Sequence, residues 1–145
     1  MTTPIVVTCP HCHSKNRLPA DRLAGGGKCG RCKAALFDRH PVALTAQTFD
    51  NHAQADLPLV VVDFWAPWCG PCKQFAPVFE QAAGVLEPQV RLAKVNTEAE
   101  PALAQRFAIR SIPTLIVFRN GKEINRMSGA LPGNALVQWV RQQTG

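Results

Sequence analysis

Val60-Val61-Val62-Asp63-Phe64-Trp65-Ala66-Pro67-Trp68-Cys69-Gly70-Pro71-Cys72-Lys73 is the stretch from which the fold can be read. The β-branched run, extended back to Leu59, predicts a strand apolar on both faces, as the middle of a sheet requires. Ala66 to Trp68 form a short turn. Pro71 falls where the first turn of a helix tolerates a missing N–H. The helix is predicted to run to about Leu86, with Pro77 inside it removing the bond to the Lys73 carbonyl and kinking it. A C-x-x-C pair set between a strand and a helix reads as a redox pair.

Working outward, Val42–Leu44 reads as a short strand, and Thr45 as the cap of a helix to about Ala55. Arg91–Asn96 reads as a strand and Pro101–Phe107 as a short helix. Thr114–Phe118 and Lys122–Met127 flank Asn120-Gly121, a strong hairpin signal. Leu136, Val137 and Val140 give a closing helix its apolar stripe. Strands alternating with helices and followed by a hairpin predict an α/β domain, a mixed sheet with helices on both faces.

All six cysteines fall into C-x-x-C pairs: Cys9/Cys12, Cys29/Cys32 and Cys69/Cys72. The first two pairs are separated by 16 residues, the spacing of a four-cysteine zinc site. Two sulfurs on one tight turn supply two corners of a tetrahedron, and a second turn supplies the rest. Gly25-Gly26-Gly27 marks the reversal between them. Four cysteines complete a zinc shell, so His11 and His13 read as solvated loop residues. Residues 1–38 are too few for a core of their own and are expected to form a small zinc ribbon. Residues 39–41 read as a linker and 42–145 as the main domain.

The formal charge is +6, of which residues 1–40 carry +5. Four thiolates and one Zn²⁺ would lower that segment to about +3. With Phe37 its one aromatic, the segment argues against stacking recognition of nucleic acid. No apolar run approaches the roughly 18–20 residues of a membrane span, and the start lacks a secretory signal. The expectation is a cytoplasmic address, where paired cysteines serve metals or redox chemistry rather than structural disulfides. No Gly-rich nucleotide fingerprint is present, so no nucleotide cofactor is expected.

Trp68-Cys69-Gly70-Pro71-Cys72 is the active-site sequence of thioredoxins, and the chain resembles that family over roughly residues 42–145. With the ribbon in front, it is similar to the zinc-containing bacterial thioredoxins of the thioredoxin-2 type. The resemblance implies the thioredoxin fold and a protein-disulfide reductase served by an NADPH-dependent thioredoxin reductase. Cys69 would attack at the helix amino terminus, where free N–H groups favour a thiolate, and Cys72 would resolve the mixed disulfide. Asp63 matches the aspartate that assists proton transfer at the resolving cysteine, and Lys94 matches its lysine neighbour. Ser111-Ile112-Pro113-Thr114 matches the cis-proline segment that turns the Ile112 backbone toward Cys69. Trp68, Gly70, Pro71, Ile112, Pro113 and Gly129 would form the substrate rim, with Trp65 mostly buried behind it. Two other readings remain open here: a disulfide isomerase or oxidant, and a ribbon-based docking module with an accessory redox domain.

Overall fold

The apolar run forms β4 (Leu59–Trp65), and every residue from Leu59 to Phe64 is buried. The computed structural model describes residues 4–144, so Met1–Thr3 and Gly145, the outer ends of the two expected domains, lie outside the described residues. Parallel neighbours β3 (Val42–Ala43) and β5 (Val90–Asn96) lie on one side of β4. The antiparallel hairpin β6 (Thr114–Arg119) and β7 (Lys122–Ser128) lies on the other, giving the order β3-β5-β4-β6-β7. Asn120 and Gly121 both have positive φ, 54° and 81°, as a two-residue hairpin turn demands.

Strand side chains alternate between faces. Leu59, Val61, Val90 and Leu92 pack beneath α2 (Gly70–Leu86) and α4 (Gly133–Thr144), against Phe75, Phe79, Leu136 and Val140. Val60, Val62, Phe64 and Val95 pack on the other face against Phe49 of α1 (Phe49–Ala53) and Leu103 of α3 (Pro101–Arg106). By the same alternation Asp63 and Trp65 of β4, and Lys94 of β5, turn toward α2. Asp63 and Lys94 are direct neighbours in the β4–β5 register.

One boundary differs from the sequence reading. The first helix starts at Phe49, not after Thr45. Thr45 instead opens a turn: its carbonyl accepts from the Thr48 and Phe49 amides, and its own amide donates to Thr48 Oγ1. The next amide, Ala46, donates to Glu100 at 2.7 Å, a tertiary bond no local signal announces.

The amino-terminal segment forms a hairpin of β1 (Pro4–Thr8) and β2 (Lys15–Pro19), then a 3-10 turn over Ala20–Gly25. Its apolar cluster of Val7, Leu18, Leu36 and Phe37 is completed by Ala55 and Leu57 from the main domain. A buried ion pair seals this seam. Arg91 of β5 donates to the carbonyls of Thr8 (3.0 Å) and Leu36 (2.9 Å), lies 4.3 Å from the Phe37 ring centroid and faces Glu87 at 3.7 Å. Burial pushes the Glu87 carboxyl up to about 7, against the opposing pull of Arg91. His13 is not a solvated loop residue: its Nδ1 lies 3.0 Å from Nε2 of the buried His52.

Candidate active site and metal centre

Cys69 is the N-cap of α2, and its Sγ accepts from the Cys72 amide at 3.2 Å. A sulfur there meets free N–H groups and the positive end of a helix of 17 residues, which together stabilise an anion. Cys72 lies one turn deeper. The two are joined as a disulfide, with Cα atoms 5.2 Å apart. Both are well covered in this state, Cys69 at 5% exposure and Cys72 at 3%, packed with Ala66, Trp65 and Ile112. Trp68 beside Cys69 is 69% exposed.

The Ile112–Pro113 peptide is cis, and the Ile112 carbonyl lies 3.8 Å from Cys69 Sγ. Gly129 follows β7 and donates its amide to the Pro113 carbonyl at 2.8 Å. Its φ of 99° is open to glycine and strained for other residues. Pro71 and Gly70 are exposed in the first turn of α2. An open groove of about 300 Å³ runs from Trp68 past Thr97, Arg110 and Ser111 to Ile112.

Beneath Cys72 lies a second cavity, of about 150 Å³, lined by Asp63, Trp65, Lys94, Ala76 and Glu80 among others. Asp63 is 3% exposed, and its Oδ1 has no hydrogen-bond partner among the described residues. Burial raises the Asp63 carboxyl to about 7, and Lys94 only partly offsets this. Trp65 is mostly buried, as expected, and the Lys94 Nζ sits 5.5 Å from its ring centroid.

The remaining four cysteines converge. The Sγ atoms of Cys9, Cys12, Cys29 and Cys32 all lie within 4.8 Å of one another, with Cys9–Cys32 and Cys12–Cys29 both at 3.6 Å. Tetrahedral zinc–sulfur bonds of about 2.3 Å require sulfurs about 3.8 Å apart, so the donor set fits the ion. The two knuckles repeat one geometry. His11 and Cys12 amides donate to Cys9 Sγ, and Arg31 and Cys32 amides donate to Cys29 Sγ. His13 and Lys33 take the matching positive φ, 62° and 68°. The sulfurs are thus held by backbone, as metal thiolates are. No histidine joins this cluster.

The thioredoxin family model matches residues 40–142, and the model of the thioredoxin 2 amino-terminal zinc ribbon matches residues 8–34. This chain belongs to the thioredoxin family. Thioredoxin C-3 of Corynebacterium nephridii is 45% identical over 140 residues, covering 96% of this chain and 95% of that protein. A putative thioredoxin 2 of Streptomyces coelicolor is 48% identical over 101 residues, 70% of this chain and 74% of that one. Among solved structures, a thioredoxin variant from Halobacterium salinarum NRC-1 superimposes with a TM-score of 0.67 at 29% identity, covering 74% of this chain and 93% of that chain. The thioredoxin fold and its chemistry follow. This family member is a thiol–disulfide oxidoreductase, a protein-disulfide reductase with Cys69/Cys72 as its redox dithiol. Thioredoxins act on disulfide substrates and are themselves re-reduced by thioredoxin reductase. The four-cysteine cluster is a metal-binding site of the zinc-ribbon kind. No helix among the described residues is long and apolar enough to cross a membrane.

Sequence reasoning missed the groups that join ribbon to domain: Arg91, Glu87, His52, and the His40–Glu80 pair. Arg91 carried a signal, a charge inside an apolar strand.

Proposed function

We propose that Cys69 is the attacking sulfur and Cys72 the resolving one. The observation that carries this is the N-cap position of Cys69, with its Sγ on the Cys72 amide. In the reduced protein, the Cys69 thiolate attacks a substrate disulfide, forming the Cys69–substrate bond and releasing one substrate thiolate. Cys72 then loses its proton to the Asp63 carboxylate and attacks Cys69 Sγ. The Cys69–Cys72 disulfide forms, and the second substrate thiolate leaves. Asp63 suits this work because its pKa near neutrality matches the operating pH, and Lys94 stabilises its charged form. Trp68, Gly70, Pro71 and Gly129 form the rim that receives substrate. The Ile112 backbone, held by Pro113, pairs with an extended segment of it.

The direction of flow is reductive, since Gly70-Pro71 lacks the histidine usual in oxidising relatives. The expected reduction potential lies near about −270 mV, a value typical of thioredoxins. A potential near about −120 mV, that of a strong oxidant, would exclude the reductase role. An NADPH-dependent flavoprotein thioredoxin reductase supplies the electrons, which makes the chain an electron carrier between that enzyme and its substrates.

Residues 1–38 form the ribbon module, 39–41 the connector and 42–145 the catalytic domain. Cys9, Cys12, Cys29 and Cys32 hold one structural Zn²⁺. The ion, when bound, cross-links two knuckles whose own apolar core is too small to fold them. Metal analysis with thiol titration on the Cys69→Ser, Cys72→Ser variant is expected to give one zinc per chain and no other free thiol. Zinc-free protein with four titrating thiols would refute the site. Paired thiols holding a metal favour a reducing, cytoplasmic compartment, which fractionation against a cytoplasmic marker checks.

A further inference from the structure

Arg91 is buried, at 1% exposure, and a guanidinium keeps its charge in a protein. A charge so deep needs a counter-charge close by. Glu87 supplies one only in part. Its carboxylate stands 3.7 Å from Arg91 Nη1, beyond hydrogen-bond reach, and Nη1 has no hydrogen-bond partner among the described residues. With its carboxyl raised to about 7 by burial, Glu87 is also ionised in only part of the molecules near neutral pH.

The four-cysteine centre has the opposite shortfall. Four thiolates around one Zn²⁺ leave a net charge of about −2. Cys9 and Cys29, at 0% and 1% exposure, hold their share of it out of water. The cations nearest in sequence, Lys15, Lys28, Arg31 and Lys33, are all exposed, so solvent screens them. Among the described residues, the buried basic side chains are Arg91 and His52. Burial foremost, then Arg91 and His13, lowers the His52 pKa to about 3, so that imidazole is neutral. Arg91 is left as the buried positive charge.

Arg91 also reaches the chain on both sides of the cluster. Its Nη2 donates to the carbonyl of Thr8, directly before Cys9, and to that of Leu36, just after the second knuckle. Thr8 is held a second time, its Oγ1 donating to the Asn51 carbonyl of α1 at 2.7 Å. The Phe37 ring covers the guanidinium. The pKa of Arg91 is pulled down by burial and held up by Glu87, Asp38 and Cys9, so a sulfur of the cluster lies within electrostatic range.

We propose that Arg91, from the catalytic domain, is the positioning residue and buried counter-charge of the ribbon's zinc–thiolate centre. The metal is then held tightly only while the ribbon is seated on the domain. The effect is reciprocal: bound zinc steadies the seat, and its loss leaves Arg91 with Glu87 alone. The role concerns metal retention, not the redox step, and it rests on zinc occupying Cys9, Cys12, Cys29 and Cys32.

The test follows zinc release from the full-length protein to excess pyridylazoresorcinol at pH 8, under reducing conditions, with zinc content measured first. Arg91→Met keeps the length and loses the charge. It is expected to release zinc about tenfold faster or more, the usual loss for an outer-shell partner of a metal. Arg91→Lys keeps the charge and should fall between the two. Glu87→Gln removes the anion that competes for Arg91 and should slow release by about twofold or more. A merely structural seam would loosen on losing its ion pair and release zinc faster. Folded Arg91→Met with the wild-type release rate overturns the role, as does Glu87→Gln releasing zinc at the wild-type rate or faster. Should Arg91→Met fail to fold, Glu87→Gln decides alone. Wild-type protein that holds no zinc and takes none up overturns the zinc reading of the ribbon, and this role with it. One zinc per chain leaves the release rates to judge Arg91 by itself.

Discussion

Asp63→Asn is expected to stabilise the oxidised protein by about 3–4 kcal/mol at pH 8 and to change its stability little at pH 4. The argument is one of linkage. The Asp63 carboxyl titrates near its ordinary 3.8 in the unfolded chain and at about 7 in the folded one. Between those values the folded protein holds a proton that the unfolded chain has lost. Stability contributed by this group is therefore complete below pH 4. It falls as pH rises toward 7 and is flat above. Each unit of pKa difference is worth about 1.4 kcal/mol, so the full loss approaches about 4 kcal/mol. Asparagine has the same shape and no charge, and avoids it. Urea unfolding of both proteins at pH 4 and pH 8 checks the sign and the size. Equal stability at pH 8 would mean that Asp63 is solvated, and its suitability as a base for Cys72 would go with that. The trade is chemically coherent: a group costly to ionise in the resting fold is one that holds a proton near neutral pH.

What the sequence made legible, and what it did not, divides on physical lines. β4 and α2 were readable almost to the residue. The signals there are local: a β-branched run ends at an aromatic, and a proline fixes the first helical turn. The hairpin was readable because few residue pairs other than Asn-Gly accept two positive φ angles in succession. The two cysteine knuckles declared themselves by spacing. The start of α1 was not readable, because Glu100, from a distant loop, takes the Ala46 amide. The seam between ribbon and domain was hidden for a similar reason. Arg91 stands out as a charge in an apolar strand. Its acceptors, however, are the backbone carbonyls of Thr8 and Leu36, which have no side-chain signature. His13 and His52 meet across the same seam, and neither position hints at the other. The expected linker turned out to be bonded at Arg39 and His40 to α2, since charged residues beside a proline mark a boundary but not its freedom.

The largest effect is expected at the sulfurs themselves. In Cys72→Ser the Cys69 thiolate keeps its N-cap position and can still attack, but no second sulfur lies within bonding distance to release the substrate. Turnover should fall to background while a covalent adduct accumulates. In Cys69→Ser the buried Cys72 has no open approach to a protein substrate, so neither turnover nor adduct is expected. The remaining thiols, Cys9, Cys12, Cys29 and Cys32, are engaged by the metal site and should not substitute. The direct measurement is intact-mass spectrometry of the reduced Cys72→Ser protein, in its zinc-loaded full-length form, mixed with a disulfide-bonded protein substrate. The account expects one mixed disulfide per chain, mapped by peptide analysis to Cys69 and reversed by reductant. No adduct, or an adduct mapped to a ribbon cysteine, would contradict it.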